Sequence, residues 1–99
     1  SIDMGAYIDG YHGDCARTYG VGEISEADKK LIDVTRQSFF EGIKFAKAGN
    51  HLYEISAAIQ EYAESFGFGV VREYVGHGIG RNMEEDPNFR RVWCWPSSL

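Results

Sequence analysis

The sequence is short of the features that mark several large classes of protein. Its two cysteines, Cys15 and Cys94, lie far apart and outside any CxxC pair, so neither a zinc knuckle nor a disulfide framework is indicated and two free thiols are expected. Positive charge is also scarce. Ten Lys and Arg stand against fifteen Asp and Glu, for a net charge of −5, and the basic residues are scattered. That argues against a general phosphate-binding surface, because nonspecific nucleic-acid affinity comes from Lys and Arg displacing counterions. No run approaches the ~18 apolar residues that a membrane span needs, and Ser1-Ile2-Asp3 lacks the basic and apolar regions of a secretory signal. A cytoplasmic setting is therefore expected. Internal repeats are absent, no serine sits in a GxSxG elbow, and Gly76-x-Gly78-x-Gly80 fits neither GxGxxG nor a Walker loop.

What remains is an ordinary globular composition, 43% apolar and 14% aromatic over 99 residues, enough for one domain. Residues 2–9 alternate, with Ile2, Met4, Ala6 and Ile8 on one side and Asp3, Gly5, Tyr7 and Asp9 on the other, which predicts a strand. Asp9-Gly10 suits the positive-φ pair of a tight turn, with a return strand over about 11–19. Ser25 is a helix cap, with Asp28 adding a carboxylate near the positive helix end. Ile32, Thr35, Phe39, Ile43 and Ala46 then form an apolar stripe at helical spacing, ending at Gly49-Asn50. A second helix is expected over about 53–66 on Ile55, Ile59, Tyr62 and Phe66, stopped by Gly67. Residues 68–75 predict a further strand, with Gly76-His77-Gly78-Ile79-Gly80 as a turn or loop. The order is ββααβ, an α+β arrangement.

Chemistry is suggested first by Asp3 and Asp14. If Asp9-Gly10 is the turn, Asp14 faces Gly5 and Ala16 faces Asp3, so both carboxylates share one face as diagonal neighbours, ~7–8 Å apart. Gly5 would leave the space between them open. Two such carboxylates repel unless something positive lies between, and a shared divalent ion is the simplest remedy. The alternative is that Asp3 ends a strand and Asp14 makes an Asx-type turn. His77, between two glycines, is either an imidazole ligand or a solvated loop residue. His12 is assigned to the turn, His51 to the surface, and Phe39, Phe40, Phe45, Tyr62 and Phe66 to the core or helix flanks.

Taken together, Ile2-Asp3, Asp9-Gly10-Tyr11-His12-Gly13-Asp14, Ala57-Ala58-Ile59-Gln60 and Val71-Arg72-Glu73-Tyr74-Val75-Gly76-His77-Gly78-Ile79-Gly80-Arg81 resemble the type I methionine aminopeptidases, from residue 1 to about Pro87. The resemblance implies the amino-terminal half of a pita-bread metallopeptidase fold: a β-hairpin, two helices and a third strand. It also implies a dinuclear site of cobalt, manganese, iron or zinc. Asp3 and Asp14 correspond to the chelating and bridging aspartates and His77 to the histidine ligand. The substrates implied are peptides beginning with methionine, met at the ribosome, with no nucleic acid or membrane involved.

The same resemblance carries departures. Glu84 stands where the family has a substrate-contacting histidine, and a carboxylate cannot donate a hydrogen bond unless protonated. The family's two glutamate ligands lie farther along than this chain runs, so the 99 residues alone are expected to be inactive. Residues 1–87 are then a partial catalytic domain that exposes surface its other half would cover, which predicts self-association. Residues 88–99, with Trp93-Cys94-Trp95, depart from the family and are expected to be a poorly ordered tail. Two rival readings are a non-catalytic interaction module on the same half-fold and an Xaa-Pro peptidase of the same architecture. The GHGIG run after Arg-Glu-Tyr-Val disfavours the second.

Overall fold

The computed structural model describes residues 1–90 and 94–96, arranged as β1 (Ile2–Ile8), β2 (Tyr11–Arg17), α1 (Glu26–Ile43), α2 (Leu52–Ser65), β3 (Phe68–Val70), β4 (Val75–Gly78), β5 (Glu85–Arg90) and β6 (Cys94–Pro96). The expected α+β architecture is present. The strands form three separate antiparallel pairs, β1 with β2, β3 with β6 and β4 with β5. Among the described residues no helix is long and apolar enough to cross a membrane.

The hairpin follows the sequence pattern in detail. Asp9 and Gly10 both adopt positive φ, 52° and 84°, the pair a two-residue turn requires. The register then puts Gly5 opposite Asp14 and Asp3 opposite Ala16, as the alternation predicts. Partners across an antiparallel pair project to one side, so Asp3, Gly5, Tyr7, His12, Asp14 and Ala16 share a face. Ile2, Met4, Ile8 and Tyr11 share the other and stay exposed, Ile8 by 70%.

Helix α1 starts where Ser25 satisfies an orphan amide: its Oγ accepts from the Asp28 N–H at 3.0 Å and donates to Asp28 Oδ2 at 2.7 Å. Ser25→Ala removes both bonds and is expected to cost about 1 kcal/mol, read as a lowered urea midpoint at unchanged slope. At the other end, hydrogen bonds from Lys44 and then Gln37 hold the partly exposed Glu41 carboxyl below its ordinary value.

The helices pack through a seam that the apolar stripe does not predict. Val34, Ser38 and Gly42 are the buried residues of α1, Ser38 at 2% exposure, and they meet α2 where Ala63 is fully buried. Phe39 and Ile43, expected in the stripe, are exposed. The reason is steric: rows of residues four apart interdigitate most closely when they are small. At Gly42 a Cβ would collide with Ile59 Cγ1, lie 2.7 Å from Ile59 Cδ1 and sit 3.2 Å from the Ile55 carbonyl oxygen. Ser38 keeps its buried hydroxyl satisfied by donating to the Thr35 carbonyl at 2.7 Å. Of the other aromatics expected in the core or on the flanks, Phe40 and Phe66 lie half-exposed on the helix flanks, Phe45 lies half-exposed in the turn after α1, and Tyr62 is partly buried with its ring 5.1 Å from that of Phe66.

Two further boundaries move. Helix α1 ends at Ile43 rather than near Gly49, with turns over 44–49. The strand expected over 68–75 is two strands, because β3 takes β6 as its partner and β4 takes β5, and the chain bends at 72–73 between them. Gly76-His77-Gly78, read from sequence as turn or loop, is therefore mostly β4. Of the segment expected to be irregular, residues 88–90 end β5 and 94–96 form β6. Residues 91–93 and 97–99 lie outside the described residues.

Candidate metal centre

The elements that could hold an ion are the odd-numbered face of β1, the even-numbered face of β2, and β4. A two-residue turn makes Ile8 and Tyr11 the hydrogen-bonded closing pair, so alternation turns the His12 N–H toward the outer edge of β2. There it donates to the Gly80 carbonyl at 2.7 Å. The His12 imidazole Nδ1 lies 3.3 Å from the same oxygen, and its ring meets Tyr7 at 4.6 Å. The strand that carries His77 is thereby fastened to the hairpin edge through Gly80, two residues beyond its end.

Within β4, pairing is irregular at His77. Gly76 faces Phe89 and Gly78 faces Glu85, so β5 inserts extra residues opposite the histidine. Bulges of this kind re-aim a side chain. Gly78 makes the close approach possible, since a Cβ there would lie 2.6 Å from the Asp86 carbonyl oxygen and 2.8 Å from that of Glu85.

The result is that His77 Nε2 comes within 3.6 Å of Asp14 Oδ2, with side chains only 12% and 10% exposed. His77 Nδ1 lies 3.0 Å from the Gly78 carbonyl oxygen. A carbonyl can only accept, so Nδ1 carries the proton in that bond. In the neutral ring Nε2 then presents a lone pair toward a carboxylate oxygen, at a distance too long for a direct hydrogen bond. An imidazole nitrogen and a carboxylate oxygen facing each other in a nearly buried site suit a cation between or beside them, and fixing the ring through Nδ1 is how ligand histidines are oriented. Imidazole nitrogen with carboxylate oxygen is also a donor set that borderline divalent metals accept. The residues fit the group on chemistry.

Asp3 stands differently. It lies on the shared face, diagonal to Asp14, but is exposed, and among the described residues no three His, Cys, Asp or Glu gather into a metal-holding group. The structure therefore brings Asp14 and His77 together and leaves Asp3 at the rim. The space expected to be open above Gly5 is filled: the Met83 Cε lies 3.2 Å, and its Sδ 3.8 Å, from the position a Gly5 Cβ would take.

The other candidates fall away from the pair. Glu84 is exposed, while its neighbour Glu85 turns inward and accepts the Asn82 N–H at 2.8 Å. His51 is the N-cap of α2, its own N–H donating to Glu54 Oε2 at 2.5 Å. Cys15 is exposed, on the hairpin face opposite Asp14, and the Cys94 side chain lies outside the described residues. Sequence reasoning missed His12 and Met83. Parity alone, His12 sharing the even side of β2 with Asp14, could have flagged the first. Nothing local to residue 83 signals the second.

Residues 1–97 match the model of metallopeptidase family M24. The chain is 62% identical to a methionine aminopeptidase of Clostridium acetobutylicum over 87 residues, covering 88% of this chain and 35% of that protein. It is similar to the solved methionine aminopeptidase of Thermotoga maritima, at TM-score 0.85 and 49% identity, over 89% of this chain and 35% of that one. The X-Pro aminopeptidase structure from the same organism aligns at TM-score 0.75 and 29% identity, over 95% of this chain and 28% of that one. The chain thus spans about a third of the length of the curated relatives it matches.

Proposed function

Since the chain belongs to metallopeptidase family M24, we propose that it carries the aspartate–histidine side of a divalent-metal site serving removal of the N-terminal methionine from polypeptides. The observation that supports this most directly is the nearly buried approach of His77 to Asp14, with the imidazole proton held on Nδ1 by the Gly78 carbonyl. Identity favours methionine over an Xaa-Pro substrate, at 62% against 29%. A conserved-fold interaction module would not need the acceptor pair that these two side chains make.

In this reading Asp14 and His77 would hold the ion, and Asp3, at the rim of the same hairpin face, would be the further carboxylate available to it. A dinuclear site of cobalt, manganese, iron or zinc belongs to the same proposal. When bound, the metal would supply a water acidified into the neutral range and a Lewis acid for the scissile carbonyl. The chain's own part is to hold and orient. The His12–Gly80 bonds keep β4 on the hairpin, the Gly78 carbonyl keeps the Nε2 lone pair aimed at the carboxylate, and burial keeps competing water away. A cytoplasmic setting, peptide substrates at the ribosome and self-association through Ile2, Met4, Ile8 and Tyr11 belong to the same reading.

Calorimetric titration of the 99-residue chain with Mn2+ is the test. Saturable binding is expected, weakened at least tenfold by Asp14→Asn and by His77→Ala, each checked for native circular dichroism. Identical heats for the native chain and Asp14→Asn would sink the assignment. No methionine release from a Met-Gly peptide is expected of these residues alone, because no further carboxylate gathers with the pair among the described residues to act as base.

A further inference from the structure

Two side chains on one face of β2 reach the segment that begins at His77. Asp14 Oδ2 meets His77 Nε2 at 3.6 Å. Two residues earlier on the same face, His12 places its Nδ1 3.3 Å from the Gly80 carbonyl oxygen. Residues two apart on a strand lie ~6.5 Å from each other on one side, so this face braces residues 77–80 at both ends. The backbone between the braces has little stiffness of its own. Glycines flank Ile79 on both sides, β4 ends at Gly78, and its pairing with β5 is irregular at His77.

The His12 N–H donates to the same Gly80 oxygen at 2.7 Å, and among the described residues this is the backbone hydrogen bond that joins the hairpin to the rest of the chain. One bond fixes a distance, whereas a second donor on the same oxygen also fixes a direction. A carbonyl only accepts, so Nδ1 carries the proton in that contact. The imidazole is itself held in place. Tyr7 is its partner across the hairpin, at a non-hydrogen-bonded position where side chains come closest, and the two rings lie 4.6 Å apart with a 47° tilt.

We propose that the His12 imidazole is a positioning residue for the Asp14–His77 pair: by donating from Nδ1 to the Gly80 carbonyl it fixes the direction in which the chain leaves β4, and so keeps His77 Nε2 against Asp14. The backbone bond of residue 12 does not fill this role, since every residue except proline would supply that N–H. The second donor needs a nitrogen at the place of Nδ1. The consequence for metal binding rests on the metal reading of the pair; the consequence for the placement of His77 does not.

Long-range 15N spectra of the full chain without metal are expected to show a proton on His12 Nδ1, and an Nδ1 lacking its proton overturns the proposal. His12→Leu keeps the N–H and apolar bulk beside Tyr7 but removes the side-chain donor. His12→Asn returns an amide N–H near the place of Nδ1 and is the conservative rescue. With native circular dichroism checked for each, nuclear Overhauser contacts between the His77 ring and the Asp14 methylene protons are expected to be lost in His12→Leu and kept in His12→Asn. Mn2+ affinity is expected to fall about tenfold in His12→Leu and to return in His12→Asn. Contacts at native strength in His12→Leu, or equal losses in both variants, overturn the proposal. If His12→Leu fails to fold, the Nδ1 proton and the contacts kept or lost in His12→Asn decide it. If the native chain binds no Mn2+, the metal reading fails by itself and the metal-free contacts still decide the role of His12.

Discussion

Gly78→Ala is expected to dismantle the Asp14–His77 approach and to lower stability by about 2–4 kcal/mol. The new methyl would meet the Asp86 carbonyl oxygen at 2.6 Å, the Glu85 oxygen at 2.8 Å and the Asp86 carbonyl carbon at 3.1 Å. All three are backbone atoms of the paired strand, so no rotamer change relieves the overlap, and β4 must separate from β5 at the bulge. Backbone displacement of this kind lies in the upper part of the range for overpacking. His77 is the residue before it and would move with the strand. Gly80→Ala is the matching control. Its Cβ would also come within 2.6 Å of an atom, but that atom is Oε2 of the Glu85 side chain, which can swing away at the cost of its bond to the Asn82 N–H. Thermal melting and Mn2+ titration of the two variants check the contrast: a large loss in both for Gly78→Ala, a small one for Gly80→Ala. Equal losses would mean that the bulge does not set the histidine.

Gly42→Val is expected to cost about 3 kcal/mol, a large fraction of the 5–15 kcal/mol that separates folded from unfolded domains. Replacing a mid-helix glycine ordinarily helps, since glycine gives up about 1 kcal/mol to alanine in that setting. Here the gain is outweighed. The added carbons would enter space held by Ile59 and the Ile55 carbonyl, and a β-branched residue cannot turn both methyls away from the facing helix. The fully buried residues near this seam are few and small, so there is little slack to absorb a displaced helix. Urea unfolding would show a lowered midpoint at an unchanged slope. A Gly42→Ala variant more stable than the parent would mean that the helices stand farther apart than described.

How much of this was legible beforehand differs from element to element. The hairpin register was fully readable, because alternation of period two and an Asp-Gly pair leave one pairing that keeps Ile2, Met4 and Ile8 together. The start of α1 was readable from Ser25 and Asp28. The helix seam was not, because scanning for apolar side chains passes over Ser38 and Gly42, whose value lies in what they lack. Phe39 and Ile43 satisfy the helical period but occupy a neighbouring face. The division of 68–78 into two strands was hidden too, since each takes its partner from residues 85–96, a segment that reads as irregular on its own. At the candidate site, the shared face of Asp3 and Asp14 followed from register. The place of His77 required the bulge at Gly78, and the role of His12 required Gly80, 68 residues away in sequence.

That separation has a kinetic corollary. A hairpin closed by two residues forms in roughly microseconds from its own local contacts, so the two acidic groups are brought onto one surface almost as soon as the segment can fold. The imidazole arrives only after the chain has closed a far longer loop, whose entropic cost delays it. A divalent ion captured at full strength would therefore serve as a clock for the last docking event, with fast weak capture by the hairpin preceding slow tight capture by the completed strand pair.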